Sequence, residues 1–295
     1  MFDDFTKIRI TTQGAEIAAV TGGSGPPLLL LHGYPQTHVM WHKVAPLLAQ
    51  NFTVVAADLR GYGASSKPAT DARHAPYSKR EMAADMVQVM SELGHDAFFL
   101  CGHDRGGRVS HRLAADHSSR VWKLAVLDIA PTREMYRNTT EEFARAYWHW
   151  FWLTLPAPLP EKMISADPEA FLTYKCGHGS AGLKPFTEDA WNAYLTAIHA
   201  PSTVHAMCED YRAAATIDIE HDDADNGRKL PMPMLALWGA NGVIERCFDC
   251  LALWRERAEN VQGRALPGGH YLAEECPELV LKAWLPFFAE VLRAG

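Results

Sequence analysis

The chain has 295 residues, with 28 basic against 35 acidic side chains (a formal net charge of −7) and an apolar content of 48%. That length suits one sizeable domain with room for an insertion. Nine Trp, nine Tyr and twelve Phe exclude an intrinsically disordered chain, and the acidic balance argues against a nucleic-acid partner, which needs a basic face for phosphates. The opening Met1-Phe2-Asp3-Asp4-Phe5 has neither the basic region nor the apolar run of a secretory signal. The nearest apolar run, Pro26 to Leu31, is far shorter than the ~20 residues that span a bilayer. A cytoplasmic protein without membrane contact is expected. The six cysteines are scattered. Cys247-x-x-Cys250 has no second pair and no nearby histidine, so it reads as buried thiols, with no metal and no cofactor implied.

Along the chain, β-rich runs are expected at Ile8–Ile10, Glu16–Val20, Leu28–Leu31, Thr53–Ala57, Phe98–Cys101, Leu124–Leu127, Leu235–Trp238 and Val261–Leu266. The central ones are continuously apolar, as in strands covered on both faces of a mostly parallel sheet. Helical patterns lie between them, one opening with Ser78 and Glu81 in capping-box spacing. From about Thr132 to Ile217 the signals are helical and aromatic, notably Tyr147-Trp148-His149-Trp150-Phe151-Trp152, and strands resume at Leu235. The simplest account is an α/β fold with helices on both faces of the sheet and a helical cap inserted after the sixth strand. Core segments 1–132 and 218–295 would flank a cap of residues 133–217. The acidic stretch from Glu220 to Asn226 reads as a solvated surface link back to the sheet.

The most informative segment is Gly102-His103-Asp104-Arg105-Gly106-Gly107, which follows the Phe98–Cys101 run. A strand that enters a helix through Gly-x-Asp-x-Gly has the geometry of a nucleophile elbow, with Asp where acyl hydrolases carry Ser. Two more pieces stand in the expected order. His32-Gly33-Tyr34-Pro35 is placed to supply an oxyanion N–H and to border the pocket at Tyr34, and Gly268-Gly269-His270 is placed to present a base after the last strand. The turn Asp58-Leu59-Arg60-Gly61-Tyr62-Gly63 reads as structural. A triad acid often follows the strand that here ends Trp238-Gly239, but the corresponding position is Gly242. Asp128, at the end of the preceding strand, is the better candidate, and Asp249 a weaker one.

A carboxylate that attacks an sp³ carbon leaves an ester, which a His-activated water can hydrolyse; an alkoxide would leave an inert ether. The elbow Asp therefore points to displacement at halides or epoxides. Arg105 follows the nucleophile and Arg108 lies three residues on, on the same helix face. Two guanidiniums beside an attacking carboxylate suit a substrate with its own carboxylate, which Arg forks bind bidentately.

With these pieces the sequence resembles the fluoroacetate (haloacetate) dehalogenases of the α/β-hydrolase type over essentially its full length. The resemblance is carried by His103-Asp104-Arg105-Gly106-Gly107-Arg108, Val126-Leu127-Asp128-Ile129-Ala130-Pro131-Thr132, Trp148-His149-Trp150, Cys208-Glu209-Asp210-Tyr211-Arg212 and Gly269-His270. It implies Asp104 as nucleophile, His270 as base and Asp128 as its orienter, with Arg105 and Arg108 on the substrate carboxylate. It also implies that His149, Trp150 and Tyr211 bind halide, that the partner is a small anionic haloacid, and that the chain is a homodimer, as family members commonly are. From the residues alone, the aromatic run could equally be a cap helix packed all round. Two rivals stand. One is an epoxide hydrolase in which Tyr211 and a second cap tyrosine such as Tyr147 protonate the ring oxygen; the other is a non-catalytic small-molecule receptor on a hydrolase scaffold.

Overall fold

The structure is a computed structural model that describes residues 1–178, 181–225 and 227–289. Eight strands, β1 (Thr6–Thr11), β2 (Glu16–Gly22), β3 (Pro27–Leu31), β4 (Thr53–Ala57), β5 (Phe98–His103), β6 (Val121–Leu127), β7 (Met234–Gly239) and β8 (Val261–Leu266), form one sheet in the order β1-β2-β4-β3-β5-β6-β7-β8. All eight expected strands form. The pairs β1–β2 and β2–β4 are antiparallel, and every later pair is parallel. Burial follows position. Leu28 to Leu31 in β3 and Phe98 to Cys101 in β5 are wholly buried, each large side chain contributing roughly 1.5–3 kcal/mol by leaving water. The edge strands β1 and β8 alternate exposed with half-buried residues.

Parallel pairing brings the carboxyl ends of β3, β5, β6 and β7 to one edge of the sheet. Leu31 pairs with Gly102, His103 with Leu127, and Leu127 with Leu237. Whatever follows these strands is thus gathered in one place. The helix Lys79–Glu92 starts where its cap was expected, with the Ser78 hydroxyl accepting from the Glu81 N–H at 3.3 Å.

Between β6 and β7 the regular elements of the described chain are all helices, from Thr132 to Ala224. Its last helix, Ile217–Ala224, corrects one expectation. Glu220 and Asp223 are exposed, but Asp218 and Asp222 are buried. Asp222 lies 2.6 Å from Arg112 Nη2, and Asp218 accepts from the Lys79 backbone N–H at 2.8 Å. One face of the acidic stretch therefore packs on cations of the core, so it is not a solvated link. Asn226 lies outside the described residues. Cys250 is buried, its Sγ 3.5 Å from the Ile129 carbonyl oxygen, and Cys247 is half-buried.

Candidate active site

Asp104 sits at the turn from β5 into the helix Asp104–Asp116 with φ of 45°, a left-handed conformation that a non-glycine residue adopts only when its surroundings impose it. Two glycines make the turn possible. A Cβ on Gly106 would lie 2.2 Å from the Leu31 carbonyl oxygen, and one on Gly33 would lie 2.4 Å from Asp104 Cβ. The chain at Gly33 can therefore press against the nucleophile, and the next residue, Tyr34, donates its backbone N–H to Asp104 Oδ1 at 2.8 Å. The other oxygen, Oδ2, faces His270 Nε2 at 3.9 Å. Burial pushes the Asp104 carboxyl upward, but His270, His103, Arg108 and Arg105 outweigh it and hold it at about 2. One oxygen is anchored and ionised; the other is free to react.

His270 is held from three directions. Its Nδ1 lies 2.6 Å from Asp128 Oδ2, and Asp128 Oδ1 accepts from the Gly239 N–H at 2.9 Å. His103 Nε2 donates to the His270 carbonyl oxygen at 2.8 Å. Glu275 clasps the loop by accepting from the N–H groups of Gly269 (2.7 Å) and Tyr271 (2.9 Å). Burial pushes His103 down to about 3, so its ring is neutral and acts as a hydrogen-bonded strut. Asp128, also at positive φ (49°), has its pKa raised by burial against the opposing hydrogen bond from His270. A Cβ on Gly242 would stand 3.3 Å from Asp128 Oδ1, so the glycine leaves room for the acid that arrives from β6. Asp249 caps the helix Cys250–Arg257, accepting from the Ala252 N–H. The Asp58 turn is structural, its carboxylate accepting from the N–H groups of His38 and Ala64.

Both arginines are buried beside Asp104, but not as free forks. Arg105 donates from Nε (3.0 Å) and Nη2 (2.7 Å) to the two carboxylate oxygens of Asp210, and Nη2 also reaches the Asp210 carbonyl oxygen at 2.9 Å. Its bidentate edge is thus occupied by the protein, and only Nη1 is left without a partner among the described residues. Arg108 donates from Nη1 to the Ala130 carbonyl and Thr132 Oγ1, and its Nε is likewise unpartnered. The expected bidentate grip by Arg105 is therefore replaced by single N–H groups from two guanidiniums. Asp210 and Lys79, which salt-bridges it, are the residues that sequence reasoning missed. Tyr62 donates to the same carboxylate at 2.6 Å, and the cations Arg105 and Lys79 hold Asp210 well below the ordinary carboxylate range against its burial. The available signal was the requirement that a buried Arg have a buried acid; Asp210, next to Tyr211, was the one to test.

The cap closes over this floor. Of the aromatic run, His149 and Trp150 turn fully inward. Tyr34 stacks on His149 at 5.8 Å and meets Tyr211 edge-on at 5.1 Å. The Arg105 guanidinium lies 4.2 Å from the centre of the Tyr211 ring, and that of Arg108 lies 4.5 Å from Trp150. Among the described residues fourteen buried polar side-chain atoms lack a partner. Six belong to this one cluster: Tyr34 Oη, Arg105 Nη1, Arg108 Nε, His149 Nδ1, Trp150 Nε1 and Tyr211 Oη. Folded proteins rarely leave such groups idle, and their convergence beside an ionised carboxylate describes a chamber for an anionic ligand. Burial keeps His149 neutral and the Tyr211 hydroxyl protonated. Tyr147 belongs to the triad side, its Oη 3.3 Å from His270 Nδ1. A cleft of about 570 Å³ is lined by Tyr147, His149, Lys175 and His270 among others, so it meets the chamber's donors at His149 and the triad at His270.

The sequence profile of the alpha/beta hydrolase fold matches residues 26–275. A fluoroacetate dehalogenase from Burkholderia sp is 46% identical over all of this chain and 97% of its own length. A soluble epoxide hydrolase from Corynebacterium sp. (strain C12) is 33% identical, covering 98% of this chain and 99% of its own. The crystal structure of ALR0039 from Nostoc sp PCC 7120 superposes with a TM-score of 0.95 at 56% identity, over 96% of this chain and 97% of that one.

Proposed function

Because the chain belongs to the fluoroacetate dehalogenase family of α/β hydrolases, we propose that it is a hydrolytic dehalogenase of haloacetates, which converts fluoroacetate to glycolate and fluoride. The observation that carries this reading is the set of six donors around Asp104 without a partner among the described residues, two cationic and four neutral. The substrate carboxylate takes Arg105 Nη1 and Arg108 Nε. This aims the halogen-bearing carbon at Asp104 Oδ2 and the halogen at His149 Nδ1, Trp150 Nε1 and Tyr211 Oη. Attack by Oδ2 forms the C–O bond as the C–halogen bond breaks, and the halide leaves into those three donors. His270 Nε2 then removes a proton from water, whose oxygen adds to Asp104 Cγ. The Tyr34 N–H, 2.8 Å from Oδ1, stabilises the oxyanion; collapse expels the glycolate oxygen, which takes the proton from His270, and the regenerated Asp104 carboxyl releases water's other proton to solvent. Asp128 holds the imidazole in the required tautomer and balances its transient charge. Water is the only co-substrate.

Residues 133–217 serve as the cap in this reading, and 1–132 with 218–295 as the core. Exposed Leu155, Leu159 and Met163 on the cap support a homodimer, which sedimentation tests. Six free thiols fit a reducing, cytoplasmic setting. Halide release from fluoroacetate and chloroacetate, measured beside hydrolysis of styrene oxide, tests the function. The epoxide reading is favoured by the unpartnered Tyr211 hydroxyl, but Tyr147, its expected partner, is turned toward His270. Epoxide turnover without halide release would reverse the assignment.

A further inference from the structure

The cleft beside His149 and His270 carries more cations than carboxylates on a chain whose net charge is −7. Its described lining includes Arg145, Lys175 and Arg246 against Glu142 as the carboxylate. Arg145 is paired with Glu141 at 2.7 Å, and Arg246 lies 3.8 Å from Glu142. Lys175, on the helix Pro168–Gly177, differs. It is half-buried in the cleft lining and has neither a hydrogen bond nor an ion pair among the described residues. Its Nζ stands 5.8 Å from the centre of the Tyr34 ring, the residue whose N–H holds the nucleophile. The titratable groups that feel or are felt by it are Asp104, Cys176 and His149. Burial pushes the Lys175 pKa down while Cys176 and Asp104 push it up, and the ammonium in turn lowers that of His149. A half-buried ammonium without a counter-ion is a favourable place for an incoming anion.

Resting on the dehalogenase reading, we propose that Lys175 is a first docking station for small monocarboxylates, which takes the substrate carboxylate in the throat and hands it on to Arg105 and Arg108. An ammonium suits that task. It is a compact, hydrated point charge that attracts without the two-point grip of a guanidinium, so it captures and releases. Arg145 and Arg246 are offset by Glu141 and Glu142, so the Lys175 ammonium is the cation of this lining that raises the local concentration of the opposite ion against the repulsion of the acidic whole.

The test is steady-state kinetics with chloroacetate at low and high ionic strength for wild type, Lys175→Met and Lys175→Arg. Lys175→Met is expected to lose roughly tenfold in kcat/KM at low salt, at the lower end of electrostatic steering effects. Its kcat should stay within about twofold of wild type, its salt dependence should flatten, and Lys175→Arg should recover most of the loss. A kcat that falls as far as kcat/KM, or an unchanged salt dependence, overturns the proposal. If thermal melts show Lys175→Met to be misfolded, Lys175→Gln takes its place. Binding of non-reacting acetate, followed by tryptophan fluorescence, separates this from the function itself. Acetate affinity that depends on Lys175 in an enzyme that releases no halide keeps the station and removes the dehalogenase; acetate binding indifferent to Lys175 removes the station.

Discussion

Tyr211→Phe isolates the leaving-group donor with little collateral change. The substitution removes one oxygen. The ring keeps its 4.2 Å contact with the Arg105 guanidinium and its edge-on contacts with Tyr34 and His149. The lost hydroxyl has no partner among the described residues, and an unsatisfied buried polar group costs about 1–3 kcal/mol. Stability should therefore hold or rise, by up to roughly 6 °C in Tm at about 2 °C per kcal/mol for a chain of this size. Activity should move the other way. Burial keeps the hydroxyl protonated, so it is a donor throughout the working pH range. A donor that acts fully on charge developing in the transition state is worth roughly 2.7–4 kcal/mol, or ~10²–10³-fold. Fluoride is small and concentrates the charge it carries away, whereas chloride spreads it and leaves more readily. The full loss is thus expected on fluoroacetate and a much smaller one on chloroacetate. The assay is kcat/KM on both substrates, with a thermal melt of each protein. Equal losses on the two substrates, or a Tm well below wild type, would refute the assignment of Tyr211 to the halide.

His270→Asn should halt the reaction after the first step, so mass spectrometry should find Asp104 carrying one carboxymethyl group; rapid turnover by the variant would exclude the covalent route. A wild-type single turnover in heavy-oxygen water should label Asp104 before product, since water attacks its carbonyl carbon. The Asp104 carboxyl is held at about 2, below its unfolded value. Its charged form persists as pH falls and is lost only toward pH 2, so the rate of ester formation should be flat down to about pH 4. An acid limb near pH 5 in that step would place the titration elsewhere. Glu274 behaves oppositely. Burial raises it to about 8 despite hydrogen bonds from Gln36 and Tyr194. The folded state thus keeps a proton that the unfolded chain gives up near 4.5. Its stabilisation, complete below that value, fades as pH climbs to about 8. Glu274→Gln should therefore flatten the fall of Tm between about pH 5 and 8; an unaltered slope would contradict this.

Much of the arrangement was legible because two strong signals coincide. Continuous apolar runs such as Leu28–Leu31 have no stable place except a covered strand, and glycines at 33, 102 and 106 mark where backbone and nucleophile meet too closely for any Cβ. Asp128 and His270 followed from chain order. What was not legible lies on helices of mixed character. In Pro201–Ala215 the run Glu209-Asp210-Tyr211-Arg212 looks like a solvated face, yet all four are buried because charges on other elements meet them. Pairings such as Asp210 with Lys79, 131 positions apart, leave no local pattern. Lys175 and the buried side of Ile217–Ala224 were missed for the same reason. An isolated charge does not say which partner it will find.

The occupied fork of Arg105 bears on how this active site can change. Asp210 stands between two buried cations, so replacing Arg105 by an aromatic side chain, the obvious way to admit neutral halides, would leave the Asp210 and Lys79 charges enclosed with one counterweight gone. Breaking a buried pair in this way is strongly destabilising, by roughly 3–5 kcal/mol. The proposed preference for an acidic substrate is thereby tied to the folding of the cap onto the core. An evolutionary or laboratory path to another substrate class has to cross a valley in stability or alter Arg105, Asp210 and Lys79 together. Single-site libraries at position 105 should return few soluble proteins, and the informative library varies all three positions at once.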